Sequence, residues 1–190
     1  SLVDLDRFGA IAGPITVVDS TFATPLAQRP LDSGVQLVLH SATKAIGGHN
    51  DATLGVVAGD DELVAWLWSY AVLQGANASP FDAMNALRGL RTLPVRLERQ
   101  SASAQVIAEA LEADARIERV WYPGLPSFPQ YDLARRELRY AGGLITFDVV
   151  GGREAGQRFV ESTEIAQLAT SLGGPETLVT HPASTTHAGL

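Results

Sequence analysis

Two short apolar runs constrain this chain more than any other feature. Ile15-Thr16-Val17-Val18 closes on Asp19, and Val35-Gln36-Leu37-Val38-Leu39 runs through His40 to Ser41. A third run, Leu54-Gly55-Val56-Val57-Ala58, is closed by Gly59-Asp60. Near-continuous apolar strands of this kind suit a sheet covered on both faces rather than one that wets alternate residues. Between and after them come helix signals: a segment from Glu62 to Gln74, then one opened by Ser79-Pro80, with Ser at the N-cap and Pro at the first helical position. The first ninety residues therefore read as α/β.

The pattern changes near Pro94. Leu93, Leu97, Ala104, Ile107, Ala108 and Leu111 mark one side of a long helix, and Arg96, Glu98, Arg99 and Glu109 are assigned to the rest of its surface. A strand over Ile117–Trp121, a Pro- and Gly-rich loop over Pro123–Pro129 and a helix over Tyr131–Arg139 follow. A strand over Leu144–Phe147 and a helix over Arg153–Val160 complete the series. We divide the chain into residues 1–92, part of a large domain, and residues 93–190, a smaller α+β domain.

Composition narrows the classes of function. A net charge of −7 opposes non-specific binding of nucleic acid, which needs a basic footprint. No apolar stretch reaches the ~18–20 residues that span a bilayer, so neither nucleic acid nor membrane is expected as a partner, and the cytoplasm is the expected location. There is no cysteine, hence no disulfide and no thiolate metal site. The histidines, His40, His49, His181 and His187, lack metal-ligand spacing and read as loop or core residues, so no metal is expected.

Thirteen arginines share the chain with one lysine, Lys44. Arginine serves ion pairs and anion binding but stays protonated, whereas lysine can lose its proton and condense with an aldehyde. Lys44 follows the second apolar run in His40-Ser41-Ala42-Thr43-Lys44 and precedes Gly47-Gly48-His49. In open α/β sheets, ligands collect beyond the carboxyl ends of the strands. Asp19, Ser41, Thr43 and Lys44 all fall there, and together they match what pyridoxal 5'-phosphate requires. The aldehyde needs an amine, the ring nitrogen a buried carboxylate to keep it protonated, and the phosphate hydroxyl donors. Taken singly, Asp19, Ser41 and Thr43 are equally well explained as turn or cap residues. Ser41-Ala42-Thr43-Lys44 also spells S-x-x-K, the nucleophile signature of serine acyl-transferases, but the companion S-D-N and K-T-G motifs are absent.

Val17-Val18-Asp19-Ser20-Thr21-Phe22-Ala23-Thr24-Pro25 closely resembles the V-D-N-T-F-A-T-P segment of the Cys/Met-metabolism (transsulfuration) family of pyridoxal-phosphate enzymes. His40 to Asp51 resembles that family's H-S-x-T-K-x-x-x-G-H signature. Ser79-Pro80-Phe81-Asp82, Leu87 to Leu93, Tyr122 to Pro126, Ser171-Leu172-Gly173-Gly174 and His181 to Ala188 extend the likeness, collinear from about Val17 to Leu190.

The resemblance implies an aminotransferase-like (fold type I) large domain passing into a smaller C-terminal domain. It implies a lyase or synthase acting on sulfur amino acids or activated homoserine, assembled as homodimers or homotetramers. Carried over by position, Lys44 is the Schiff-base lysine and proton shuttle, Asp19 pairs with the ring nitrogen, and Ser41 and Thr43 contact the phosphate. Ser171 helps to hold the substrate carboxylate, and Thr170 tunes specificity. Ser20 departs from the family's Asn. The family's ring-stacking aromatic and Gly-rich phosphate loop, and the Tyr and Arg that reach a neighbouring subunit, would lie upstream of Ser1. Its carboxylate-clamping arginine would lie beyond Leu190, so the chain is expected to be incomplete at both ends. The alternative left open is a non-catalytic or truncated homologue that keeps the fold.

Overall fold

Why the first two apolar runs become neighbouring strands is visible in a computed structural model that describes residues 1–185. Strand β1 (Val17–Asp19) and β2 (Leu37–Ser41) lie parallel, with Asp19 opposite Leu39. A parallel pair needs a crossover, and residues 20–36 supply it through the short helix α2 (Thr24–Ala27) and a 3-10 turn at Pro30–Ser33. Strand β3 (Gly55–Gly59) then returns antiparallel to β2, with Ser41 opposite Gly55. Helix α1 (Leu5–Gly9) precedes this three-stranded sheet, whose order is β1-β2-β3.

Burial differs from the expectation of a sheet covered on both faces. Only β2 is covered, with Leu37, Val38 and His40 buried, whereas four of the five β3 residues are exposed. An apolar strand is buried only where another layer lies against it, and among the described residues that layer is complete only over the central strand.

Two helices follow. Asp60 caps α3 (Asp61–Gln74) by accepting from the backbone N–H groups of Glu62 and Leu63, and Gly75 ends it at φ +69°. Ser79 caps α4 (Pro80–Leu90), its hydroxyl accepting from Asp82 N at 3.1 Å. Both helices are strongly apolar outside: Trp66, Trp68, Leu73 and Phe81 are each at least 65% exposed.

Helix α5 (Leu93–Glu112) joins two cores. Its first turns bury Leu93 and Leu97 against Ala27 and Ala45. Its later turns bury Ala104 and Ala108 against Val120, Tyr122 and Leu125. The second core is built on the antiparallel pair β4 (Ile117–Trp121) and β5 (Thr146–Val149). Tyr122 is fully buried, and its hydroxyl meets the carbonyls of Gly142 and Ser101 at 2.9 and 3.2 Å. Strand β5 begins two residues later than its apolar pattern suggests. The ladder stops at Trp121 opposite Thr146, because its extension would reach Pro123, which has no N–H to donate. Helix α6 (Tyr131–Glu137) follows β4, α7 (Gly152–Glu161) packs against β5, and a short parallel pair, β6 (Gln167–Leu168) and β7 (Leu178–Val179), leads to a 3-10 turn at Pro182–Ser184.

Close packing around one glycine locks α4 to the loop after β2. A Cβ at Gly89 would land on the Gly47 carbonyl oxygen and lie 2.7 Å from that of Ile46. Backbone atoms cannot yield as a flexible side chain does, so Gly89→Ala should destabilise the protein by about 1–3 kcal/mol. The expected observation is a lower urea midpoint at unchanged m-value.

Candidate functional site

Strand ends and one turn assemble the site. Beyond β2 the backbone folds back on itself: Lys44 N–H donates to Ser41 O at 3.1 Å, Gly47 N–H to Ala42 O at 2.7 Å, and Gly48 N–H to Lys44 O at 2.7 Å. Gly48 is needed for this closure, at φ +64°. Ala42 and Ala45 are buried beneath the turn, which leaves Lys44 half-buried with its amine outward.

Three of the expected residues are tied to one another through Thr21. The Asp19 carboxylate accepts from Thr21 N at 2.9 Å, and the Thr21 hydroxyl accepts from Ser41 N at 2.7 Å. Ser41 in turn receives the N–H of Lys44. The end of β1 is thereby fastened to the turn that carries the lysine. Asp19 itself is exposed, where the sequence reading expected a buried carboxylate. Its pKa lies below the ordinary 3.8, first because of the Thr21 hydroxyl, then the Thr21 N–H, with partial burial opposing and His40 adding a small pull. The carboxylate is therefore anionic at neutral pH.

Thr43 serves the backbone. Its hydroxyl accepts from Leu54 N at 3.1 Å and faces Leu54 O at 3.5 Å, which pins the turn to the segment leading into β3. The Ser41 hydroxyl makes no hydrogen bond among the described residues.

Ser171 is 127 residues from Lys44 in the chain, yet the Lys44 amine donates to its hydroxyl at 3.1 Å. Gln100 Nε2 donates to Gly174 O at 2.9 Å, and Asn50 Nδ2 to Glu176 Oε2 at 2.9 Å. Gly173, at φ +86°, lies so close to the turn that a Cβ there would sit 2.5 Å from Ala45 N. Ser171 adopts φ +109°, a region that non-glycine residues rarely occupy. Such strain persists only where surrounding contacts over-determine it. Thr170 is exposed beside it. Thr186, His187 and Ala188 of the terminal motif, His187 included among the histidines above, lie outside the described residues.

Several residues here escaped the sequence reading. Arg96, assigned there to the outer surface of α5, is half-buried and donates to Ala45 O and Gly89 O at 2.9 Å each, and to Ile46 O at 3.4 Å. The signal was present: 93, 96, 97, 100 and 104 share one helical face, so Arg96 and Gln100 fall among the buried positions. Asn50 and Thr21 gave no comparable signal. His40 is a core residue, 5% exposed, and its Nδ1 has no hydrogen-bond partner among the described residues. The S-x-x-K arrangement finds no support, since the Lys44 amine engages Ser171 rather than Ser41.

Residues 3–190 match the sequence profile of a family described as Cys/Met metabolism PLP-dependent enzyme. The chain is 47% identical to an L-methionine gamma-lyase of Pseudomonas deceptionensis, over 98% of this chain and 48% of that protein. It is 44% identical to a cystathionine beta-lyase of Coxiella burnetii, over 100% of this chain and 50% of that one. Among solved structures, a cystathionine gamma synthase of Xanthomonas oryzae pv. oryzae, in complex with aminoacrylate and cysteine, superposes with a TM-score of 0.95 at 44% identity. That match covers 100% of this chain and 50% of the synthase, so the chain spans about half the length of the relatives it matches.

Burial holds the His40 pKa below the ordinary 6.5, and the nearby Asp19 charge opposes this only in part. The folded state therefore takes up the proton at lower pH than the unfolded state does. Stability contributed by neutral His40 is complete above about pH 6.5 and should be lost as pH falls through the depressed folded value. Urea midpoints between pH 7.5 and 5 should decline for the wild type and decline less for His40→Leu.

Proposed function

This chain belongs to the Cys/Met-metabolism family of PLP-dependent enzymes, and on that premise we propose that it carries the catalytic lysine of a cytoplasmic lyase or synthase acting on a sulfur amino acid or an activated homoserine. The observation that carries the reading is the 3.1 Å bond between the Lys44 amine and Ser171, at the sheet edge where Asp19 and Ser41 also end. The names of the relatives, methionine and cystathionine lyases and a sulfhydrylase for O-succinylhomoserine, support the substrate class.

The donor set fits pyridoxal phosphate. Lys44 would hold its aldehyde carbon, the anionic Asp19 its ring nitrogen, and the unengaged Ser41 hydroxyl its phosphate. The 3.5 Å approach of Thr43 to Leu54 O is long enough to be exchanged for a phosphate oxygen. When bound, the cofactor supplies an electron sink for the bond-breaking step.

What the chain's own residues contribute follows from their geometry. The Lys44 amine, released to act as a base, takes the substrate's α-proton and can return it. Ser171 keeps that amine within one hydrogen bond of its resting place. Asp19, anionic at neutral pH, would favour positive charge on a ring nitrogen held against it, which a neutral neighbour would not. Ser171, bonded to the amine, would help to hold a substrate carboxylate, and the exposed Thr170 next to it in sequence would tune the fit of the substrate side chain.

Assembly as homodimers or homotetramers belongs to the same reading. The exposed Trp66, Trp68, Leu73 and Phe81 on α3 and α4 support self-association, because apolar surface on this scale is uncommon on monomers.

The decisive experiment uses colour and mass. Protein supplied with pyridoxal phosphate should turn yellow, and borohydride should fix the cofactor on the peptide containing Lys44. Lys44→Ala should lower turnover by ~10²–10⁴-fold or more, the usual worth of a positioned base. Colourless wild-type protein that takes up no cofactor would sink the reading.

A further inference from the structure

We propose that Arg96 is a positioning residue for Lys44: its guanidinium fixes the backbone of the turn from which the amine rises, and so holds that amine against Ser171. The catalytic meaning of this rests on the function proposed above, while the mechanical coupling does not.

The turn over residues 41–48 creates a need that its own sequence cannot meet. Its N–H groups at 44, 47 and 48 bond to the carbonyls of Ser41, Ala42 and Lys44. The carbonyls of Ala45 and Ile46 are left facing α5. Backbone carbonyls removed from water need a donor, and Arg96 donates to both through Nη1 and Nη2. The same Nη2 donates to Gly89 O, which also accepts from the Thr92 N–H and hydroxyl, at the C-terminal end of α4, where the helix dipole favours a cation. Nε donates to the Thr92 hydroxyl at 3.0 Å, which fixes the plane of the fork. One planar group thus joins the lysine turn, the end of α4 and the start of α5.

Charge and shape agree with this assignment. Arg96 forms no ion pair among the described residues, so its cation is committed to backbone oxygens. A Cβ at Gly48 would strike the guanidinium itself. The turn is bounded by Arg96 and Gly89, and Gly173 abuts Ala45 within van der Waals range. From Gly173 it is two residues to Ser171, so a shift of the turn alters the Lys44–Ser171 distance directly. A lysine at position 96 would offer a point charge that cannot span three carbonyls.

The test measures coupling in protein without added cofactor. Lys44 is labelled by reductive methylation, and the rate is read on its peptide by mass spectrometry. Ser171→Ala should change that rate in the wild type by ~threefold, and in an Arg96→Lys background the change should vanish, as coupled neighbours require. Deuterium exchange over residues 42–49 should rise in Arg96→Lys at unchanged melting temperature, and Arg99→Lys should alter neither readout. If Arg96→Lys fails to fold, Thr92→Val, which removes the Nε partner together with that hydroxyl's own bond to Gly89 O but leaves the guanidinium, carries the same cycle. A Ser171→Ala effect of equal size in both backgrounds overturns the proposal. Wild-type protein that binds no pyridoxal phosphate would instead sink the functional reading, and the coupling would still decide the role of Arg96.

Discussion

Backbone carbonyls with no strand or helix to pair with are the constraint from which the site follows. A sharp turn directly after a buried strand is the only way to bring a lysine to the sheet edge and point the chain back toward β3. Such a turn strands polar groups beneath it. Here they are met in different ways: N–H groups within the turn and the guanidinium of Arg96 donate to carbonyls, and the Thr43 hydroxyl accepts from the Leu54 N–H. Together these bonds fix the backbone from which the Lys44 side chain rises.

The glycines explain how so many segments approach one turn. Gly47 and Gly48 within it, Gly89 from α4 and Gly173 from the late loop all lie where a Cβ would meet backbone or the guanidinium. Helix α4 can then close to backbone contact with the lysine loop, α5 reaches it through Arg96, and the chain beyond β6 can bring Ser171 to it across 127 residues of sequence. Helix α5 links the two cores physically, since Leu93 and Leu97 belong to one and Ala104 and Ala108 to the other.

Much of this was legible in the sequence, and the exceptions have physical causes. Strands that end on Asp19 and Ser41, the Ser79-Pro80 helix start and the lone lysine are local signals, and local signals survive in a sequence. The burial of β3 was over-read because a run of Gly, Val and Ala reports what a strand tolerates, not which layer covers it. Arg96 was misplaced on the outer face of α5 because polarity was weighed above phase, although it shares its face with Leu93 and Leu97. The Lys44–Ser171 contact is long-range, and Ser171 came from a family resemblance rather than from spacing. Thr43 shows the converse: the resemblance gives it a phosphate, whereas the geometry first gives it Leu54.

The pairing of Lys44 with a hydroxyl, rather than a carboxylate, bears on what the amine can do. An ammonium has only donors, and a carboxylate partner would favour it by its charge. A serine hydroxyl is both donor and acceptor. When Lys44 is charged, Ser171 accepts from it; when Lys44 is neutral, the same hydroxyl can turn its proton toward the nitrogen lone pair. The 3.1 Å separation serves both arrangements, so the amine can gain or lose a proton without losing its partner or its place. In the role proposed above for Lys44, a base that must take a proton and give it back is held best by a neighbour indifferent to which state it is in. The strained φ of +109° at Ser171 is the conformational cost of putting that neighbour within reach.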